Sequence, residues 1–165
     1  MLTSMRLRIF AALITAGLCL CQPADPWPST ALMDPAALAK ILRTPDGKQP
    51  HVICVAFPVL YKTKHIQHAT FAGPGSKGEG IDALKKAVAG LPKDSDIVLY
   101  CGCCPMDHCP NLRPAFAALH ELGYAKVRVL NIPSNTATDW SGKGYPTESS
   151  ISDDDRNRIL SAPVK

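Results

Sequence analysis

Three short apolar runs constrain the fold of this chain more than any other feature: "HVICVAF" (51–57), "DIVLY" (96–100) and "KVRVLNI" (126–132). Each is rich in β-branched residues and largely continuous in its apolar character. That is the pattern of a strand covered on both faces, as in a parallel sheet. Helical patterns separate the runs. "MDPAALAKILRT" (33–44) puts Leu38, Ile41 and Leu42 on one face, with Asp34 placed to cap and Pro35 suited to the first turn. "IDALKKAVAGL" (81–91) repeats Ile81, Leu84, Val88 and Leu91, and "RPAFAALHELG" (113–123) stops at Gly123, a natural C-terminal cap. "PDGKQP" (45–50) reads as a turn and "PGSKGEG" (74–80) as a loop. The alternation predicts a parallel α/β sheet, whose ligands bind at the carboxyl ends of the strands.

The two ends of the chain read differently. "MLTSMRLR" is short and basic, and the "IFAALITAGLCLC" that follows is an apolar core of signal-peptide length, too short to span a membrane. Residues 1–21 are therefore expected to direct export to the periplasm or envelope, with Cys19 or Cys21 as candidates for a lipid anchor. Residues 22–32, "QPADPWPSTAL", are proline-rich without an apolar period and read as a linker. In "SISDDDRNRILSA", Ser152 can cap and Asp153 to Asp155 favour the positive start of a helix, so 149–165 is expected to be a capped C-terminal helix. The net charge is +4, and removal of residues 1–21 takes away Arg6 and Arg8 and leaves +2. That balance, with no basic run, excludes a nucleic-acid partner.

Chemistry concentrates in "IVLYCGCCPMDHCPNLRPAF" (97–116), which holds four of the seven cysteines. Cys101 ends a predicted strand shortly before a predicted helix. Unpaired amides and the helix dipole at such a junction favour a thiolate and can cradle an anion. A phosphatase-type loop is a poor fit, because Arg113 lies twelve residues after Cys101, nine after Cys104 and four after Cys109. Cys101-Gly102-Cys103-Cys104 has the Cys-x-x-Cys spacing of a dithiol redox pair. Cys101, Cys103, Cys104, His108 and Cys109 are all soft or borderline metal ligands, but they crowd into nine residues without a distant second cluster, so no metal is assigned. Without residues 1–21, five cysteines remain; an odd number leaves at least one unpaired within the chain.

From about Met33 to Glu148 the chain resembles the rhodanese-like domain family. "KHIQHATF" (64–71) is similar to the family's Gly-His-Ile-x-Gly-Ala stretch, and "LPKDSDIVLYC" (91–101) to the strand that delivers its active-site cysteine. "ALHELGYAKVRVL" (118–130) resembles the next helix, turn and strand, and Asp139-Trp140 with "KGYP" (143–146) resembles the family's closing segment. The resemblance implies about five parallel strands with helices on both faces, over residues 33–148. It also implies a sulfurtransferase that takes sulfane sulfur from an anionic donor such as thiosulfate, carries it as a persulfide on Cys101 and passes it to a thiol or cyanide, with no cofactor. Backbone amides of the loop are expected to hold the persulfide.

Around Cys101, Gly102, Cys103, His108 and Arg113 are the expected substrate-binding residues. Cys104 or Cys109 is expected to release the sulfur by forming a disulfide. His65 is expected to bond to backbone near the loop, Trp140 to pack, and Cys54 to be a core thiol. Three features depart from the family pattern. The loop is about five residues longer, the Asp-x-Arg after the first strand is replaced by Cys54-Val55-Ala56, and Lys64 and His68 replace two glycines. Two alternatives stand: a dithiol-disulfide oxidoreductase using Cys101 and Cys104, and a non-catalytic module that binds metal or a partner through the loop.

Overall fold

A computed structural model describes residues 27–44 and 47–151. Its sheet has five parallel strands: β1 (Leu32–Met33), β2 (His51–Cys54), β4 (Thr70–Phe71), β5 (Asp96–Tyr100) and β6 (Lys126–Leu130). They lie in the order β1-β6-β5-β2-β4. The three long predicted strands occupy its middle, with β5 paired in register to β2 on one side and β6 on the other. Ile97, Val98 and Leu99 of β5 are completely buried, which is why that run carries no polar alternation. Each such side chain contributes about 1.5–3 kcal/mol by burial. The partly exposed pair Arg128–Asp96, in which Nη2 donates to both carboxylate oxygens at 2.6 and 2.7 Å, contributes at most about 1 kcal/mol. Apolar burial, not charge pairing, holds the sheet.

Helices α1 (Pro35–Leu42), α2 (Pro58–Thr63), α3 (Gly78–Val88), α4 (Leu112–Glu121) and α5 (Thr136–Asp139) connect the strands. Asp34 caps α1 as predicted, its carboxylate accepting from the Ala37 N–H at 2.8 Å. Helix α4 buries Leu112, Ala115, Ala118 and Leu119 and packs against β5, β6 and α3. This packing fixes the start of α4 beside the end of β5. Tyr124, just after α4, anchors the next strand by donating its hydroxyl to the Val88 carbonyl.

Several boundaries differ from the sequence reading. The first and third long runs leave the sheet early, at Cys54 and Leu130. Residues 78–80, read as loop because of Gly78 and Gly80, form the first turn of α3, which Leu84 and Val88 hold to the core. The expected linker 22–32 contributes structure from Trp27 onward. Trp27 and Ala31 are buried, and Leu32 starts the edge strand β1, paired to β6. Two-residue strands β3 (His65–Ile66) and β7 (Thr147–Glu148) form a separate antiparallel pair. The expected signal segment 1–21 and the helix start at Ser152 lie outside the described residues. Among the described residues no helix is long and apolar enough to cross a membrane.

Candidate active site

Cys101 sits directly after β5, at the carboxyl edge of the sheet, and is 3% exposed. All five described cysteines are free. The loop after Cys101 is not helical: α4 begins only at Leu112, after a turn of 3₁₀ helix at Met106–His108. A Cys-x-x-Cys pair at a helix start brings thiols three residues apart together; here the chain instead reverses at Gly102, whose φ is +76°. The reversal returns the Cys103 sulfur to 3.2 Å from that of Cys101. The Cys104 sulfur lies 3.3 Å from that of Cys103, one step further round. The turn at 106–108 brings the buried Cys109 back as a hydrogen-bond partner of Cys101. Cys103 and Cys109 thus both bond directly to the Cys101 sulfur, whereas the contact of Cys104 is with Cys103.

Gly102 is fixed by geometry. Its carbonyl accepts from the Thr136 N–H at 3.1 Å and from the Thr136 hydroxyl at 3.2 Å. A β-carbon there would lie 2.2 Å from Thr136 Cγ2, on a backbone that L-residues rarely adopt. The turn that leads into Thr136 is held by Asp139, a buried carboxylate accepting from the Ser134 and Asn135 amides at 2.6 and 3.2 Å. Gly102→Ala is expected to destabilise the protein by about 1–3 kcal/mol and to disperse the thiols. Its melting temperature should fall by several degrees; an unchanged melt would mean that Thr136 yields without cost.

Asn111 is the residue that the sequence reading missed. It is fully buried at the N-cap of α4, and both ends of its amide are engaged. Nδ2 donates to Cys101 Sγ at 3.3 Å, while Oδ1 accepts from the Ser76 N–H at 3.0 Å. The Ser76 donor fixes which end faces the thiol. Gly75 makes this contact possible, since a β-carbon there would fall 2.2 Å from the Asn111 carbonyl oxygen.

These donors set the ionisation of the site. The Cys101 thiol is lowered to about 6, chiefly by the hydrogen bond from Cys109, against its own burial. Asn111, the Cys103 thiol and the Cys103 N–H add to the lowering. Cys109 is pushed well above the ordinary thiol range because it donates to Cys101, and Cys103 is pushed up by burial and by the same donation. The result is one thiolate held by two protonated thiols, one amide side chain and one backbone N–H. Of the loop amides, that of Cys103 bonds to the unloaded sulfur, and side chains supply the other donors. Pro105 and Pro110 have no N–H to offer in this loop.

The remaining expected residues fall around this centre. His108 is exposed on the 3₁₀ turn. Arg113, in the first turn of α4, places its guanidinium 4.5 Å from the Trp27 ring centroid. His65 is buried, donates from Nδ1 to the Tyr61 carbonyl at 2.8 Å and stacks on the Tyr61 ring, so its backbone partner is α2 and not the thiol loop. His68 adopts φ +60° where the family pattern has glycine, and its N–H donates to Glu148 at 3.2 Å. Trp140 is buried, with Nε1 donating to the Pro146 carbonyl at 2.8 Å. Cys54 is a core thiol raised to about 11 by burial.

No family profile matches the chain, and no curated protein does. Solved structures do. The BH2092 protein from Bacillus halodurans superposes with a TM-score of 0.57 at 23% identity, over 73% of this chain and 78% of that one. The rhodanese-like domain of the Alr3790 protein from Anabaena sp., solved in solution, gives a TM-score of 0.55 at 21% identity, over 82% of this chain and 88% of that one. A crystal structure of Alr3790 gives 0.54 at 22%, over 76% and 99%. The chain has the rhodanese-like fold.

Proposed function

We propose that this protein is a sulfurtransferase that carries sulfane sulfur on Cys101. The single observation that carries the reading is the convergence of four donors on one buried sulfur at the carboxyl end of the central strand: Cys109 S–H, Asn111 Nδ2, Cys103 S–H and Cys103 N–H. A sulfur so placed is a nucleophile at neutral pH. The fold supports the reading because ligands of such sheets bind at this edge.

The Cys101 thiolate attacks the outer sulfur of thiosulfate, sulfite leaves, and Cys101 becomes a persulfide. An acceptor thiolate or cyanide then attacks the outer sulfur and Cys101 departs as thiolate, so no net redox change falls on the protein. A second route uses Cys103. Cys103 passes its proton to the persulfide and the resulting thiolate attacks the inner sulfur, so that hydrosulfide leaves and a Cys101–Cys103 disulfide remains for an external dithiol to reduce. The 3.2 Å approach of the two sulfurs supports Cys103 for this step, beside Cys104 and Cys109, the thiols expected from the crowding of the loop.

Intact mass after incubation with thiosulfate tests the proposal. One added sulfur per chain, mapped to the peptide containing Cys101, supports it; no addition removes it. Cys103→Ser protein is expected to load normally but to release no sulfide on standing, whereas Cys104→Ser behaves as wild type. Sulfide release by the Cys103→Ser variant at the wild-type rate would eliminate the second route. The export and envelope location expected from residues 1–21 belong to the same proposal, and cell fractionation tests them.

A further inference from the structure

We propose that Cys101, Cys103 and Cys109 form a binding site for one thiophilic d¹⁰ cation, copper(I), at the same sulfurs that the proposed sulfur transfer uses. Their three sulfurs all lie within 4.8 Å of one another, and those of Cys101 and Cys103 are 3.2 Å apart. Metal–sulfur bonds of about 2.3 Å to three ligands in a trigonal plane require sulfurs about 4.0 Å apart. That value lies between the 3.2 Å contact and the 4.8 Å limit on the group, so small rotations about the Cα–Cβ bonds close the site without moving the backbone. The crowding into nine residues, which argued against metal on sequence grounds, is overcome by the reversal at Gly102 and the turn at 106–108.

The donor set selects the ion. Among the described residues the mutually close group contains three thiols and neither imidazole nor carboxylate. Soft sulfur ligands favour copper(I) and zinc, and zinc sites of this kind are nearly always four-coordinate. The fourth nearby thiol, Cys104, contacts Cys103 at 3.3 Å but stands outside the mutually close group. Three-coordination is what the site offers, and copper(I) accepts it. Burial fits as well: Cys101 and Cys109 are 3% and 4% exposed and close two sides, while exposed Cys103 leaves a path of entry. Cys103 and Cys109 give up their protons to solvent as the ion binds.

The test is an anaerobic titration of the reduced full chain against copper(I) held by bicinchoninate, whose colour is lost as the protein takes the metal. The expected result is one copper per chain, with X-ray absorption reporting three sulfur neighbours. Cys103→Ser, a change at an exposed position, should weaken uptake by about ten-fold or more, and Cys54→Ser should not change it. Bound copper should also protect Cys101 from iodoacetamide in the wild type, a readout that needs no variant to fold. No copper uptake, equal uptake by wild type and Cys103→Ser, or unprotected Cys101 would overturn the proposal. So would preferential retention of zinc on four sulfurs that is lost in Cys104→Ser. Each of these results leaves thiosulfate loading of Cys101 to be judged separately.

Discussion

Cys101→Ser protein treated with thiosulfate gains no sulfur, whereas Cys104→Ser and Cys54→Ser protein load as wild type does. The substitution exchanges one buried atom and keeps its hydrogen-bond donors. Asn111 Nδ2, now 3.3 Å from the sulfur, can donate to the serine oxygen. The fold should therefore survive with a change on the order of 1 kcal/mol, but a hydroxyl does not ionise near neutral pH and cannot form a persulfide. The pH dependence of stability supplies a second reading. The folded-state Cys101 value of about 6 lies below the ordinary thiol value of 9.0. Between those values the unfolded chain binds more protons than the folded one, so stability is fully present above pH 9 and is lost as pH falls toward 6. Cys54, at about 11 in place of 9.0, gives the opposite slope, and only at higher pH. Urea midpoints across this range should rise with pH for wild type and lose that rise in Cys101→Ser. Equal slopes in the two proteins would show that Cys101 is not the ionised group.

Asn111→Asp should slow alkylation of Cys101 at neutral pH by about ten-fold or more. The amide donor becomes a carboxylate 3.3 Å from the thiolate, in a site with no solvent exposure. Two anions in such surroundings repel strongly, and the thiol value must rise. The other half of the contact is preserved, since an aspartate oxygen still accepts from the Ser76 N–H now bonded at 3.0 Å. Asn111→Leu separates the two contributions. It removes the donor without adding charge, and it leaves the Ser76 amide without this acceptor, at about 1–3 kcal/mol if no other partner takes it. The rate of iodoacetamide modification against pH, read on the Cys101 peptide, checks both. Alkylation of Asn111→Asp at the wild-type rate and midpoint would mean that this side chain has no hold on the nucleophile.

The sheet was legible where burial removes polar residues from a strand. Ile97, Val98 and Leu99 lie at its centre and could not be anything else. The edge was not legible. β1 has two residues, and Trp27 and Ala31 reach the core from a proline-rich stretch with no period to mark them. Cys101 was legible because a strand, a thiol and a helix follow in sequence. Its partners were not, because they depend on how the loop turns. The Gly102 reversal makes Cys103 a neighbour, where the spacing alone pointed to Cys104. Asn111 left no sign beyond being a cap-type residue before a helix, because its role arises from Ser76, 35 residues earlier in the chain.

The donation of protons by Cys103 and Cys109 to Cys101 makes a dense group of cysteines behave as a single nucleophile. An electrophile offered in limiting amount at neutral pH should find one acceptor among five described thiols, because two of its neighbours stay protonated for as long as Cys101 holds the charge. Once Cys101 is capped, the part of that restraint that comes from its charge lifts, while burial still raises both former donors. Modification of this chain should therefore proceed in a fixed order, with the first event determining when the next can begin.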